Sequence, residues 1–247
     1  MSYKIRISAA VSLFIIAVSI LNGCGKSAQE YFEQAMSDFN AGNYERASVH
    51  FTKGLKLEPE NVKARFFLGS SYKEMGNYDS AINHLKYAAD ITPKDFFILF
   101  AIADCYANLH QYENALQWTR NSLAVKPNFM ESHLLLGICM FHTKQYQEAE
   151  HQLKFVAKIT RDDTEKKAVY YDALYFLGET YRAAGDLKNA IGTLNTLITD
   201  NPQSAKGLFA LGLSYNDMHD TKKTEEIASR LESINPQMSA DLRSQIK

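Results

Sequence analysis

All five prolines of this 247-residue chain, Pro59, Pro93, Pro127, Pro202 and Pro236, fall in one register, separated by 34, 34, 75 and 34 residues. The 75 is two units of 34 plus seven. Self-similarity of this length marks a chain built by stacking one supersecondary unit, because a unit so small cannot bury its own apolar face. Gly42, Gly76 and Gly185 each lie 17 residues before one of these prolines, and each is followed by Asn or Asp and then an apolar residue. Such a glycine ends one helix with φ > 0 while the Asn or Asp caps the next. The unit is therefore helix, tight turn, helix, break.

Other positions keep the same register. A small residue recurs mid-way along the first helix, as Ala35, Gly69, Ala103, Gly137, Gly178 and Gly212, and another early in the second, as Ala47, Ala81, Ala115, Ala149 and Ala190. Thr224 breaks the second series. Tyr44, Tyr78, Tyr112 and Tyr146 stand three residues before the second-helix alanines, and Tyr72, Tyr106, Tyr181 and Tyr215 near the end of the first helices. Small residues let two antiparallel helices approach, and large ones fill the groove beside them. On these residues the chain resembles the tetratricopeptide repeat (TPR) family from 28 to 237, with the largest departures, Gln34 and Asp38, in the first repeat. The resemblance implies an all-α fold, a right-handed TPR superhelix (α-solenoid) of about six helix-turn-helix repeats. They fall at 28–61, 62–95, 96–129, 130–163, 171–204 and 205–237, with 238–247 as a capping helix that carries Leu242 and Ile246 at i, i+4.

The seven extra residues follow repeat four, where Arg161 replaces the register proline. Asp162, Asp163 and Thr164 are cap candidates ahead of a helix-forming run, so the first helix of repeat five is expected to be about two turns, roughly 10 Å, longer than its siblings. A longer loop is the alternative.

Before the repeats, Lys4 and Arg6 precede an uncharged run from Ile7 to Leu21. The run is short of the ~20 residues a transmembrane helix needs and has signal-peptide proportions. Leu21-Asn22-Gly23-Cys24 resembles the bacterial lipobox, with Asn22 departing from the usual residue. The resemblance implies a lipoprotein signal peptide over 1–23, lipidation of Cys24, and a short tether at 24–27. Gly25 stands where enterobacterial sorting places an Asp to retain lipoproteins at the inner membrane, which points to the periplasmic face of the outer membrane. An uncleaved membrane anchor stays open. Although residues 20–27 read ILNGCGKS, position 20 is Ile where a phosphate-binding loop requires glycine.

Removing 1–23 leaves 25 basic against 28 acidic residues, a net charge of −3, and no basic stretch that suggests nucleic acid or an anionic membrane surface. Cys105 and Cys139 occupy equivalent positions of adjacent repeats. Stacked helices lie roughly 8 to 10 Å apart, beyond the ~7 Å that a disulfide bridges, so two free buried thiols are expected. The sequence has no CxxC, HxxxH, HExxH or GxSxG, and its one ExxH pair, Glu148 and His151, lacks the companions a di-iron site needs. No enzyme, metal, cofactor or small-molecule substrate is expected.

Binding is what remains. In the TPR family the first helices line a concave groove through positions 2, 5, 9, 12 and 13 of each repeat. Carried onto this chain, those positions select Phe32, Met36, Phe39, Phe66, Lys73, Phe97, Phe100, Leu134, Phe141, Tyr175, Arg182 and Phe209, together with Lys63, Ser70, Asp104, Ile138, Glu179, Leu213 and Asn216. An aromatic groove suits an apolar or extended peptide; packing against neighbouring repeats is the competing role of the same rings. The family's carboxylate clamp wants Lys and Asn where this chain has Phe32 and Met36, Phe66 and Ser70, or Phe100 and Asp104, so no clamp is expected. The architecture looks like that of the type IV pilus pilotins, lipoproteins that escort a secretin subunit to the outer membrane. The implied function is a membrane-anchored scaffold for a partner protein. A regulator that docks peptidoglycan enzymes and an adaptor on an uncleaved anchor are the alternatives.

Overall fold

A computed structural model describes residues 26–246. Cys24 and the proposed signal segment lie outside the described residues. Among the described residues every regular element is an α-helix, thirteen in all. The chain divides into two compact units, one ending at Asn77 and one beginning at Tyr78.

The first unit holds α1 (Ala28–Asn40), α2 (Tyr44–Leu57) and α3 (Val62–Glu74). Ser27 starts α1 through a capping box: its hydroxyl accepts from the Glu30 N–H while the Glu30 carboxylate accepts from the Ser27 N–H. Phe32, Ala35, Ala47, Phe51, Leu55, Ala64 and Leu68 close into one buried cluster. The alanines recur where two helix backbones come closest.

The second unit holds α4 (Tyr78–Ile91), α5 (Phe96–Asn108), α6 (Tyr112–Val125), α7 (Met130–His142), α8 (Tyr146–Thr160), α9 (Lys167–Ala183), α10 (Leu187–Asp200), α11 (Ala205–Asp217), α12 (Thr221–Glu232) and α13 (Pro236–Ser244). Each helix packs on the next along the chain, and α5, α7, α9, α11 and α13 also touch in succession. Close approach explains Gly178: a Cβ there would come within 2.6 Å of Leu194 on α10.

The turns inside the repeats share one geometry. Gly42 and Gly185 adopt φ of 75° and 83°, but His110, Lys144 and His219 hold the same left-handed conformation at 58°, 62° and 60°. In each, two backbone N–H groups fold back onto the helix, as Gln145 to the Met140 carbonyl at 2.8 Å and Lys144 to that of Phe141 at 3.0 Å. This Schellman pattern satisfies the last carbonyls of the first helix, and the turn forms with or without glycine. The expected second-helix caps hold only in part. Asp186 accepts from the Asn189 N–H, whereas the Asn43 side chain makes no cap hydrogen bond.

The extra residues after repeat four resolve mostly as a turn. Helix α9 has 17 residues against 13 in α5, α7 and α11, so it is about one turn longer rather than two. Asp163 accepts from the N–H groups of Glu165 and Lys166 and from the Lys166 ammonium at 2.7 Å. That local bonding holds residues 161–166 out of the helix. The closing helix begins at Pro236, two residues earlier than expected, with Asn235 capping it. Leu242 is fully buried, and Arg243 bridges to Glu225 and Glu232 on α12.

Candidate functional site

Unit one presents an open cleft of about 440 Å3 between α1 and α3. From α1 it takes Gln29, Phe32, Glu33, Met36, Ser37 and Asn40, which lie on one helical face; α3 contributes Lys63, Ala64 and Phe67, with Asn61 at its start and Phe51 below. The floor is apolar: Phe51 and Phe67 stack nearly parallel, 6.1 Å apart. The polar lining is amide and hydroxyl with one carboxylate, Glu33, and one ammonium, Lys63, and Gln29 donates to Glu33 at 2.9 Å. Such a cleft accepts one bulky apolar group and offers donors and acceptors to the backbone that carries it.

The predicted residues of this unit separate by role. Met36 is half-buried and lines the cleft; Phe32 is buried and forms its floor. Phe39 packs edge-on against Tyr44 and Phe67. Phe66 stands edge-on to Phe67 and does not line the cleft. Lys73 lies 3.6 Å from the Glu74 carboxylate. Phe67, which the register argument missed, lines the cleft together with Phe32 and Phe51. The adjacent pair Phe66-Phe67 was the available signal.

In unit two the predicted positions form two different surfaces. On α5 and at the start of α7, Phe97 and Phe100 gather with Phe96 and Phe129: Phe129 lies edge-on to each of the other three, at 5.1 to 5.5 Å. The Lys126 ammonium sits 4.3 Å over the Phe96 ring, and Phe97 remains 52% exposed. Leu134 is buried in the core, so its role is packing. Phe141, at the other end of α7, is half-buried against Tyr146, His142 and Phe176. Burial, then the charge of His110, lowers the pKa of His142, whose ring stacks on Tyr112 at 4.1 Å. Cys105 and Cys139 are both buried, and burial is the main reason that the Cys139 thiol is pushed up to about 12, with Asp104 and Glu113 adding to it. It packs as an inert apolar group.

On α9 and α11 the same register positions are ionic. Arg182 donates to Glu179 at 3.0 Å and to Asp217 at 3.1 Å, and Lys206 pairs with Asp172 while lying over the Tyr175 ring. Burial acts against the Arg182 charge, yet its hydrogen bonds to Glu179 and Asp217 raise its pKa further. Burial raises the Tyr175 phenol, with the Glu179 charge adding to it. Phe209 is half-buried against the core. This surface satisfies its own charges. No cluster of three potential metal ligands occurs among the described residues, and Glu148 and His151 are both exposed on α8.

Antiparallel helix pairs joined by left-handed turns, with alanine or glycine at each close contact, define an α-helical repeat protein. Residues 38–95 and 172–204 match tetratricopeptide repeat profiles, and residues 87–156 match the profile of subunit 3 of the anaphase-promoting complex, or cyclosome. These matches identify tetratricopeptide repeats at residues 38–95 and 172–204. Among curated proteins none matches the sequence. The fold is similar to that of PilW, a widely conserved type IV pilus biogenesis factor, with a TM-score of 0.75 and 19% identity over 91% of this chain and 100% of that one. PilF of Pseudomonas aeruginosa gives 0.69 and 14% over 88% and 97%. The Cut9–Hcn1 hetero-tetramer of the anaphase-promoting complex gives 0.74 and 18% over 96% of this chain but only 46% of that one, so this chain spans less than half of its length.

Proposed function

We propose that this chain is a non-enzymatic adaptor of the bacterial cell envelope, anchored by lipid at Cys24, that holds an apolar segment of a partner protein on its first-helix faces. The observation that carries the reading is the cleft of unit one, where Met36, Phe51 and Phe67 form an apolar floor beneath the amides of Gln29, Asn40 and Asn61. An extended segment there would place one large side chain on the floor and its peptide groups against the amides. The exposed ring of Phe97 offers a second apolar contact of the same kind. The fold likeness to PilW and PilF favours a pilotin-like task, the assembly of an outer-membrane complex. Among the described residues no helix is long and apolar enough to cross a membrane.

The test begins with proteins recovered with the full chain from detergent-solubilised membranes, identified and then titrated against it. Met36→Ala with Lys63→Ala should weaken that binding by about tenfold, roughly 1.4 kcal/mol, with helical content unchanged. Wild-type affinity in this variant would move the binding site away from the cleft. Separately, Cys24→Ser should abolish lipid labelling and release the chain from membranes; retention of the variant there would remove the lipid anchor from the proposal.

A further inference from the structure

The outer surface of α2 carries a stripe that neither the core nor the cleft uses. Arg46, Val49, His50, Lys53, Lys56 and Leu57 follow i, i+3, i+4, i+7, i+10 and i+11, one side of a helix. Val49 and Leu57 are 48% and 56% exposed, large values for aliphatic side chains, and the cations lie between them. From α1, Tyr31 adds an aromatic ring, with the Lys26 and Lys53 ammonium groups each 6.0 Å from its centroid.

Most carboxylates nearby are already engaged: Glu58, just past the end of α2, accepts from Asn61 at 3.1 Å, and Glu60 stands two residues further on. Asp38 accepts from His50 at 2.9 Å and lies 3.5 Å from Arg46, and Glu30 is held in the capping box with Ser27. The acidic residue of α2, Glu45, stands in its first turn, at the far end from Lys53 and Lys56. Neither of those lysines has a carboxylate partner among the described residues. A chain that is acidic overall therefore carries a local face of cations, aliphatic groups and one tyrosine.

We infer that this α2 stripe lies against an anionic lipid bilayer. The inference rests on the lipid anchor at Cys24 proposed above. Lys26 is two residues beyond Cys24, a span of at most about 7 Å, and the capping box joins that tether to α1 without slack. An acyl chain at Cys24 thus keeps the α1–α2 pair at the headgroups, and the stripe has the composition such a surface selects. Lysines reach phosphates while their stems and the Val, Leu and Tyr side chains enter the interfacial layer. The stripe runs along one face of a single helix, a convex surface that suits a fluid bilayer.

A polarity-sensitive fluorophore on Val49→Cys reads the contact, since Cys105 and Cys139 are buried and do not compete for label. The full acylated chain would be reconstituted into phosphatidylcholine vesicles with and without about 30% phosphatidylglycerol and a headgroup-borne quencher. Blue-shifted emission and quenching should appear on the anionic vesicles. Lys53→Glu with Lys56→Glu should reduce the quenching at least threefold while the chain still floats with the vesicles. Circular dichroism checks that these exposed substitutions leave the helices intact. A chain that floats but shows the same unquenched emission on both vesicles overturns the inference and leaves the anchor standing. Equal quenching on both vesicles, or quenching unaffected by the charge reversals, overturns it as well. A chain that does not float at all overturns the anchor and the inference together.

Discussion

Two stretches of unit two use the same register positions for opposite chemistry. On α5 and the start of α7, those positions and their neighbours gather phenylalanines around Phe129. On α9 and α11 they gather Asp172, Glu179, Arg182, Lys206 and Asp217 into a closed set of ion pairs. The repeat backbone tolerates either because the alanine and glycine contacts that hold its helix pairs lie on other faces. What differs is the surface left for a ligand. The ionic stretch has its hydrogen-bonding capacity already occupied, and the aromatic stretch leaves Phe97 half in water. Binding energy is thus available at the aromatic stretch, and geometric rigidity at the ionic one.

If that contrast is right, Arg182→Ala should be the most damaging change of the set. Glu179 is only 13% exposed, and removing its partner leaves a poorly hydrated carboxylate, at a cost of about 2–3 kcal/mol by urea denaturation. Adding Glu179→Gln should restore most of the loss. A loss under about 0.5 kcal/mol would mean that the pair is solvated like any surface bridge and that the contrast is cosmetic. Phe129→Ala should come next, at about 2 kcal/mol, because it removes one ring from three edge-on contacts. Its effect should not change between about 0.1 and 0.5 M salt, whereas that of Arg182→Ala should shrink. Smaller still is the turn effect. The α7–α8 turn places Lys144 at φ 62°, where a Cβ is disfavoured, and Lys144→Gly should stabilise by about 0.5–1 kcal/mol. Gly185→Ala in the α9–α10 turn, at φ 83°, should lose about as much.

These cases show how far the sequence reached. The 34-residue register gave the helix pairs because proline, glycine and alanine sit where backbone geometry leaves few alternatives. It passed over His110, Lys144 and His219 as left-handed turn residues, because there the Schellman hydrogen bonds and the flanking helices impose the conformation without help from composition. The length of α9 was overestimated because Asp163 reads equally as a helix cap or a turn closer, and only the bonds it makes decide. The groove residues were placed by position number, which fixes the face of a helix but not the depth of a side chain. Leu134 therefore lies in the core, Phe32 is buried in the core while also lining the cleft, and Phe67, one position off the register, takes a place beside it. The stripe on α2 left no mark in a net charge taken over the whole chain, since Glu45, Glu58 and Glu60 lie close by in sequence and only the helix puts the lysines on one face.

The smallest expected effect is one of pH, at a third place in unit two. At the end of α7 away from Phe129, His142 stacks on Tyr112 and meets Phe141 and Phe176 edge-on. Burial first, and then the charge of His110, holds its pKa below the ordinary histidine value of 6.5. The folded state therefore binds fewer protons at this site than the unfolded chain. By linkage its contribution is fully present above about pH 6.5 and is lost as the pH falls through the folded value. Replacing His142 with Gln removes the titration and leaves the ion pairs untouched, so thermal melts of the two proteins at about pH 7.5 and 5.5 isolate it. Wild type should lose more of its melting temperature on acidification than His142→Gln does. An equal loss would show that the burial of His142 costs the folded state nothing on acidification and that the acid sensitivity arises at other groups.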